Sequence, residues 1–132
     1  MLKRVSSAIF LLVGVVIGLG AFGHGYSARV IHAAIDQLSI ALPTYRAIIF
    51  VWYFVSGAML TFGGTIIWIW FRVRAGDSRS LFAAHLISVL YLIFGVCTMV
   101  YTRGDPFGGL FMVLGALLMG SSLVLGQEKQ NA

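Results

Sequence analysis

The side chains best suited to acid–base chemistry or metal binding in this sequence are three histidines and four carboxylates. His24 stands between two glycines, and His32 and Asp36 lie four residues apart, a spacing that places both on one face of a helix. Imidazole and carboxylate groups suit zinc, copper or iron, so these three residues are candidate metal ligands. Because no further ligand accompanies them, we favour a surface ion pair beside a hinge histidine and predict no metal site.

A second candidate group follows one face of a longer apolar stretch. His85, Ser88, Tyr91 and Thr98 recur at helical spacing, and an ionisable residue inside an apolar segment is by default a candidate for function. Aligned hydroxyls would line a small polar cavity or carry protons. We favour the simpler interpretation, in which His85 reaches the membrane interface and the hydroxyls bond between helices.

Four apolar stretches must position these residues. They contain no Asp, Glu, Lys or Arg and cover residues 5–22, 47–71, 81–101 and 107–125. Each is close to the ~20 apolar residues that a helix needs to cross a ~30 Å hydrocarbon core, and a backbone in lipid must satisfy its own hydrogen bonds. The 132 residues leave no room for a separate soluble domain. We predict an all-α membrane protein, with residues 1–132 forming one up-down-up-down bundle of four transmembrane helices.

The connection between the first two spans is longer than the others. Residues 27–42 place apolar side chains on one helical face and polar ones on the other, and Pro43 ends the pattern. The apolar face comprises Val30, Ile31, Ala34, Ile35, Leu38 and Leu42. This predicts an amphipathic helix on the outer surface, with His32 and Asp36 facing outward beside His24 and Tyr26.

Small residues indicate how the helices would pack, since helices in lipid associate through close backbone approach rather than hydrophobic gain. Such residues recur at alternating intervals of three and four, the pattern of a left-handed bundle. The predicted faces are Ser7, Leu11, Gly14, Gly18 and Ala21 on the first helix, Tyr53, Gly57, Thr61, Gly64 and Trp68 on the second, His85, Ser88, Tyr91, Gly95, Thr98 and Thr102 on the third, and Gly108, Met112, Gly115, Met119 and Ser122 on the fourth. Cys97, the single cysteine, is expected to be buried as a small apolar side chain.

Basic residues set the predicted orientation. Six fall on one side of the four spans: Lys3, Arg4, Arg72, Arg74, Arg79 and Lys129. Arg29, Arg46 and Arg103 fall on the other side, so the positive-inside rule places both termini in the cytoplasm. The alternative is a signal peptide cleaved after residues 21–23, which the length of the first apolar run and its Gly14-xxx-Gly18 pair disfavour.

Several functions are disfavoured by the residues present. A haem held by two histidines needs both ligands at one depth, whereas His85 belongs to the inner end and His24 and His32 to the outer end, about 25–30 Å away. Proton-coupled export needs a carboxylate within a span, and none is present. The net charge of +5 includes no basic run longer than Lys3-Arg4, so we expect no nucleic-acid partner. The sequence identifies no catalytic residue and no cofactor.

Gly23-His24-Gly25 at the outer end of the first helix, an aromatic second helix running into Gly63-Gly64, and four spans in 132 residues resemble the small bacterial inner-membrane proteins of the DoxX-like kind. The resemblance implies an accessory to a quinone-linked oxidoreductase. We therefore expect a non-enzymatic accessory or interaction subunit of a larger membrane complex, or a homo-oligomer. The alternative is a small redox-associated protein that binds quinone or lipid through His24, Tyr26 and His32.

Overall fold

The structure of the protein is a computed structural model that describes residues 1–37, 41–104 and 106–127. Within these ranges the chain forms four helices and no strand: α1 (Leu2–Asp36), α2 (Leu42–Arg74), α3 (Leu81–Tyr101) and α4 (Pro106–Gly126). All four are long and apolar enough to cross a membrane. The predicted all-helical membrane fold is thereby confirmed.

The first two helices are much longer than their predicted spans. At 1.5 Å per residue, the 35 residues of α1 extend about 50 Å, against a hydrocarbon core of about 30 Å. The predicted separate surface helix over residues 27–42 is wrong, because residues 27–36 continue α1 without a break. Pro43 does not end a helix but lies in the first turn of α2, where its missing N–H leaves no intrahelical bond unmade.

The predicted apolar face of this segment is mostly uncovered. Ile35 is buried, whereas Val30 and Leu42 are 67% and 58% exposed. Leu38 lies outside the described residues. Gly23 and Gly25 do not interrupt α1, because a glycine weakens a helix by only about 1 kcal/mol relative to alanine.

The residues divide into two compact units. The first combines Met1–Gly14 with the chain from Thr65 onward and therefore contains α3 and α4. Its fully buried side chains include Phe10, Ile66, Ile69 and Leu118. The start of α1 is joined to the end of α2 by Trp70, whose Nε1 donates to Ser7 Oγ at 2.9 Å and to the Ser7 carbonyl oxygen at 3.1 Å.

Helices α3 and α4 of this unit pack backbone to backbone. A Cβ built on Gly95 would lie 2.8 Å from the carbonyl oxygen of Gly108, and one on Gly108 would lie 2.8 Å from that of Gly95. A Cβ on Gly115 would lie 2.9 Å from the Ser88 carbonyl oxygen. The predicted faces of these two helices are confirmed at Ser88, Gly95, Gly108 and Gly115, whereas Thr102, also predicted on the α3 face, is exposed. Cys97 is exposed on α3, so its predicted burial is wrong.

The second unit, Val15–Gly64, pairs the remainder of α1 with the first part of α2. A Cβ on Gly18 would lie 3.8 Å from the Gly63 Cα, and one on Gly20 would lie 3.0 Å from the terminal methyl of Met59. The contact side of α2 is therefore the side of Gly63 and Met59. The predicted packing face of α2 through Gly57 and Gly64 is wrong, since both are exposed.

Candidate functional site

His24 is a contact residue between α1 and α2. Its ring stacks on Trp52 with centroids 4.0 Å apart and planes 13° from parallel. The His24 Nδ1 and the Ser56 hydroxyl share a hydrogen bond of 2.9 Å, and Trp52 Nε1 donates to the His24 carbonyl oxygen at 2.6 Å. The ring and the backbone carbonyl of His24 thus both contact α2. These contacts hold α1 and α2 together, and we call His24, Trp52 and Ser56 the structural clip.

The other predicted residues of the outer region do not gather around His24. His32 forms a hydrogen bond with the hydroxyl of Tyr45 at the start of α2. Tyr26 is 67% exposed, and the Arg29 guanidinium carbon lies 5.2 Å from its ring centroid. Asp36 is exposed and stands twelve residues beyond His24, about 18 Å along the helix axis.

A metal site in this region would need at least three ligands at one point. The described residues contain no group of three or more His, Cys, Asp or Glu side chains placed to hold a metal ion. The reason is helical geometry, because His24 and His32 lie about 12 Å apart along one continuous helix. The separate loop helix that would have folded them together does not form.

The polar stripe of α3 is largely buried against α4. Ser88 is fully buried and Tyr91 is 5% exposed, while Thr98 is half-buried. The Ser88 hydroxyl donates to the Ala84 carbonyl oxygen of its own helix at 2.8 Å, and the Tyr91 ring lies 5.8 Å from that of Phe111. These contacts place Ser88 and Tyr91 in the packing of the helix pair.

His85, at the start of this stripe, differs from the expectation that it reaches the membrane interface. Its Nε2 is buried and has no hydrogen-bond partner within the described ranges. The side chain as a whole is half-buried. A single enclosed nitrogen, without a second polar group directed at it, does not make a binding site.

A different surface has the features of a binding face. Phe50, Phe54, Gly57, Thr61 and Gly64 recur at intervals of four and three along α2 and are all exposed; we call these five residues the open face of α2. Beyond their own helical turns, the described residues place no heavy atom within 4 Å of a Cβ built on Gly57 or Gly64. Small residues at such spacing allow the close backbone approach by which membrane helices associate.

Two further contacts suit the open face of α2 to lipid or to another helix. The Thr61 hydroxyl donates to the Gly57 carbonyl oxygen at 2.9 Å, so it brings no unsatisfied polar group into an apolar surrounding. The Phe50 and Phe54 rings lie 6.4 Å apart and 22° from parallel, and they are 70% and 67% exposed. A shallow notch of small residues is thus bordered by two large aromatic rings.

These features define the class of the protein: a multi-pass membrane protein of four apolar helices. No family model, curated protein or solved structure matches the chain.

Sequence reasoning missed the residues that connect α1 to α2. These residues recur at the same alternating intervals of four and three as the predicted face, so the spacing marks them as a second candidate face without favouring it: Trp52, Ser56, Met59 and Gly63. Tyr45, which forms a hydrogen bond with His32, was not among the predicted site residues.

Proposed function

We propose that this protein is a non-enzymatic accessory subunit of the bacterial inner membrane, which binds a transmembrane helix of a partner through the open face of α2. The observation that carries the proposal is the uncovered small-residue notch between Gly57 and Gly64. Each glycine weakens its helix by roughly 0.5–1 kcal/mol relative to alanine. A partner helix that packs closely against the notch would offset this loss.

The contrast with the other glycines supports this assignment. At four other glycines a neighbouring helix already occupies the space beside the Cα. An added Cβ there would lie 3.0 Å or less from an atom of that helix: Gly14, Gly95, Gly108 and Gly115. On α4, Ala116 and Gly120 also form an exposed pair of small residues, but they lack the third small residue and the bordering aromatic rings. The open face of α2 is therefore the better candidate for helix binding.

The partner class follows from the resemblance to DoxX-like proteins. That resemblance implies that the partner is a membrane subunit of a quinone-linked oxidoreductase. If the partner is instead a second copy of this chain, the same surface would form a homo-oligomer. Both occupants are apolar helices, and the mass of a cross-linked product distinguishes them.

A photo-cross-linking amino acid that replaces Phe54, whose exposed ring borders the notch, should yield one discrete cross-linked product in native membranes. Adding Gly57→Leu should abolish that product, because leucine fills the notch. It should leave the thermal midpoint in detergent unchanged, since no described atom beyond the glycine's own helical turns lies within 4 Å of the Gly57 Cβ position. The matched positions are Leu86 on α3, 56% exposed, and Ala116 on α4. Equal product from either position, or a product insensitive to Gly57→Leu, would contradict the proposal.

We further propose that both termini lie in the cytoplasm, because six of the nine Lys and Arg residues flank the spans on that side. Reporter fusions after Arg79 and Lys129 should be active in the cytoplasm, and fusions after Asp36 and Arg103 in the periplasm. A periplasmic signal after Lys129 would reverse the orientation and favour a cleaved first helix.

A further inference from the structure

The hydrogen bonds around His24 fix which of its two ring nitrogens carries the proton. Ser56 Oγ donates to the Trp52 carbonyl oxygen at 3.1 Å, and a serine hydroxyl has one proton to donate. In its contact of 2.9 Å with His24 Nδ1, the Ser56 oxygen must therefore accept. A neutral imidazole has a proton on one nitrogen and a lone pair on the other. Nδ1 of His24 is thus the donor, and the lone pair lies on Nε2.

Nε2 of His24 is the atom at which a further proton binds. The ring is half-buried, and the described residues place no hydrogen-bond partner at Nε2. Protonation there displaces none of the contacts of the structural clip, which are the ring stack, the bond to Ser56 and the bond from Trp52 to the His24 carbonyl oxygen. A histidine that accepted this hydrogen bond through its lone pair would instead lose the bond on protonation.

The added charge strengthens two of these three contacts. A cation over the face of an indole ring is attracted by the negative charge of that face, and the rings of His24 and Trp52 lie 4.0 Å apart and 13° from parallel. A hydrogen bond from a charged donor is roughly twice as strong as one from a neutral donor, and Nδ1 becomes such a donor to Ser56. The bond to the backbone carbonyl of His24 is unaffected, because it involves no ring atom.

The other titratable and charged side chains of the second unit make no polar contact with His24. They are Tyr26, Arg29, His32 and Asp36 on α1 and Tyr45, Arg46 and Tyr53 on α2. None of the seven forms a hydrogen bond, an ion pair or a ring contact with His24 in this part of the chain. Partial burial of the ring opposes its charge, so the test is made at a pH where the ring is shown to be protonated.

We propose that the structural clip tightens in acid, because Ser56 holds His24 in the one tautomer whose protonation keeps every contact with α2. Ser56 is a positioning residue in this device, and Trp52 supplies the surface that attracts the charged ring. The contact between α1 and α2 at this level is therefore strengthened, and not released, when the surrounding solution becomes acidic. The inference uses no residue of the open face of α2.

Nitrogen NMR of the full chain, labelled at histidine and kept in detergent, reads the tautomer directly. At about pH 8 the His24 ring of the wild type should show the proton on Nδ1, and Ser56→Ala should lose this preference. Ser27→Ala is the matched control, because the Ser27 hydroxyl also donates within its own helix, to the Gly23 carbonyl oxygen at 2.9 Å. It should leave the His24 signals unchanged. A proton on Nε2 in the wild type, or the same tautomer in Ser56→Ala, would overturn the proposal.

A double-mutant cycle of His24→Ala and Trp52→Ala measures the strength of the contact. The coupling should be about twofold larger at about pH 5, with the ring shown by NMR to be protonated, than at about pH 8. The bond from Trp52 to the backbone carbonyl cancels in the cycle, since it forms with either residue at position 24. A coupling that is equal or smaller in acid would contradict the tightening. The NMR measurement uses no variant of Trp52, so it decides the tautomer even where Trp52→Ala fails to fold.

Discussion

Replacing Gly108 with leucine should force α3 and α4 apart and lower the thermal midpoint in detergent by about 10 °C or more. A Cβ at Gly108 would lie 2.8 Å from the Gly95 carbonyl oxygen and 2.8 Å from the Met99 amide nitrogen. Both are backbone atoms of another helix, so no change of rotamer relieves the overlap. Overpacking where side chains can adjust costs about 1–3 kcal/mol, and here the helices themselves must move.

The neighbouring residue provides the control. Gly109→Leu introduces the same side chain into the same turn of α4, but no described atom beyond its own helical turns lies within 4 Å of the Gly109 Cβ position. Leucine also has a higher helix propensity than glycine, so the midpoint should stay unchanged or rise slightly. A loss as large as that of Gly108→Leu would mean that close α3–α4 contact is not what stabilises this pair.

The contact between α3 and α4 was predictable because each helix has small residues at intervals of seven on one face. These are Ser88 and Gly95 on α3 and Gly108 and Gly115 on α4, and Gly95 stands between the larger Phe94 and Val96. Only one side of α3 allows backbone approach, and Ser88 and Gly95 both lie on it. Helix packing in lipid depends on such residues, so their spacing along α3 and α4 predicts this interface.

The sequence of α2 contains two helical faces that are equally suited to close packing against another helix. The set through Gly57 and Gly64 and the set through Ser56 and Gly63 both alternate intervals of four and three. They differ by a rotation of about 100° around the helix, and the sequence contains nothing that chooses between them. The tertiary contact decides, because Gly63 is the residue that meets Gly18. The rejected face is the exposed one, the open face of α2.

The candidate residues of the outer region were misplaced for a local reason. Glycines on both sides of His24 were interpreted as a hinge, yet isolated glycines in a long apolar helix do not break it. Because α1 continues to Asp36, His24 and His32 lie at different positions along its axis, and each contacts α2 separately. The rings of His24 and Trp52 stack although the two residues are 28 positions apart in the sequence. No rule based on short sequence spacings predicts such a contact.

Replacing His24 with alanine should destabilise the protein by about 1–2 kcal/mol, since it removes an aromatic stack and a hydrogen bond to Ser56. The thermal midpoint in detergent should fall by several degrees. Asp36→Ala is the matched control on α1, because Asp36 is exposed and such changes usually stay within about 0.5 kcal/mol.

A double-mutant cycle with Trp52→Ala separates this contact from the general effect of truncation. Because the two rings lie 4.0 Å apart, the two changes should be non-additive, with a coupling energy of about 1 kcal/mol. Ser56→Ala should couple to His24→Ala as well, through the hydrogen bond of 2.9 Å. Strictly additive losses, or a His24→Ala variant as stable as Asp36→Ala, would contradict the structural clip. His24 would then be available for a ligand, as the alternative interpretation of the sequence requires.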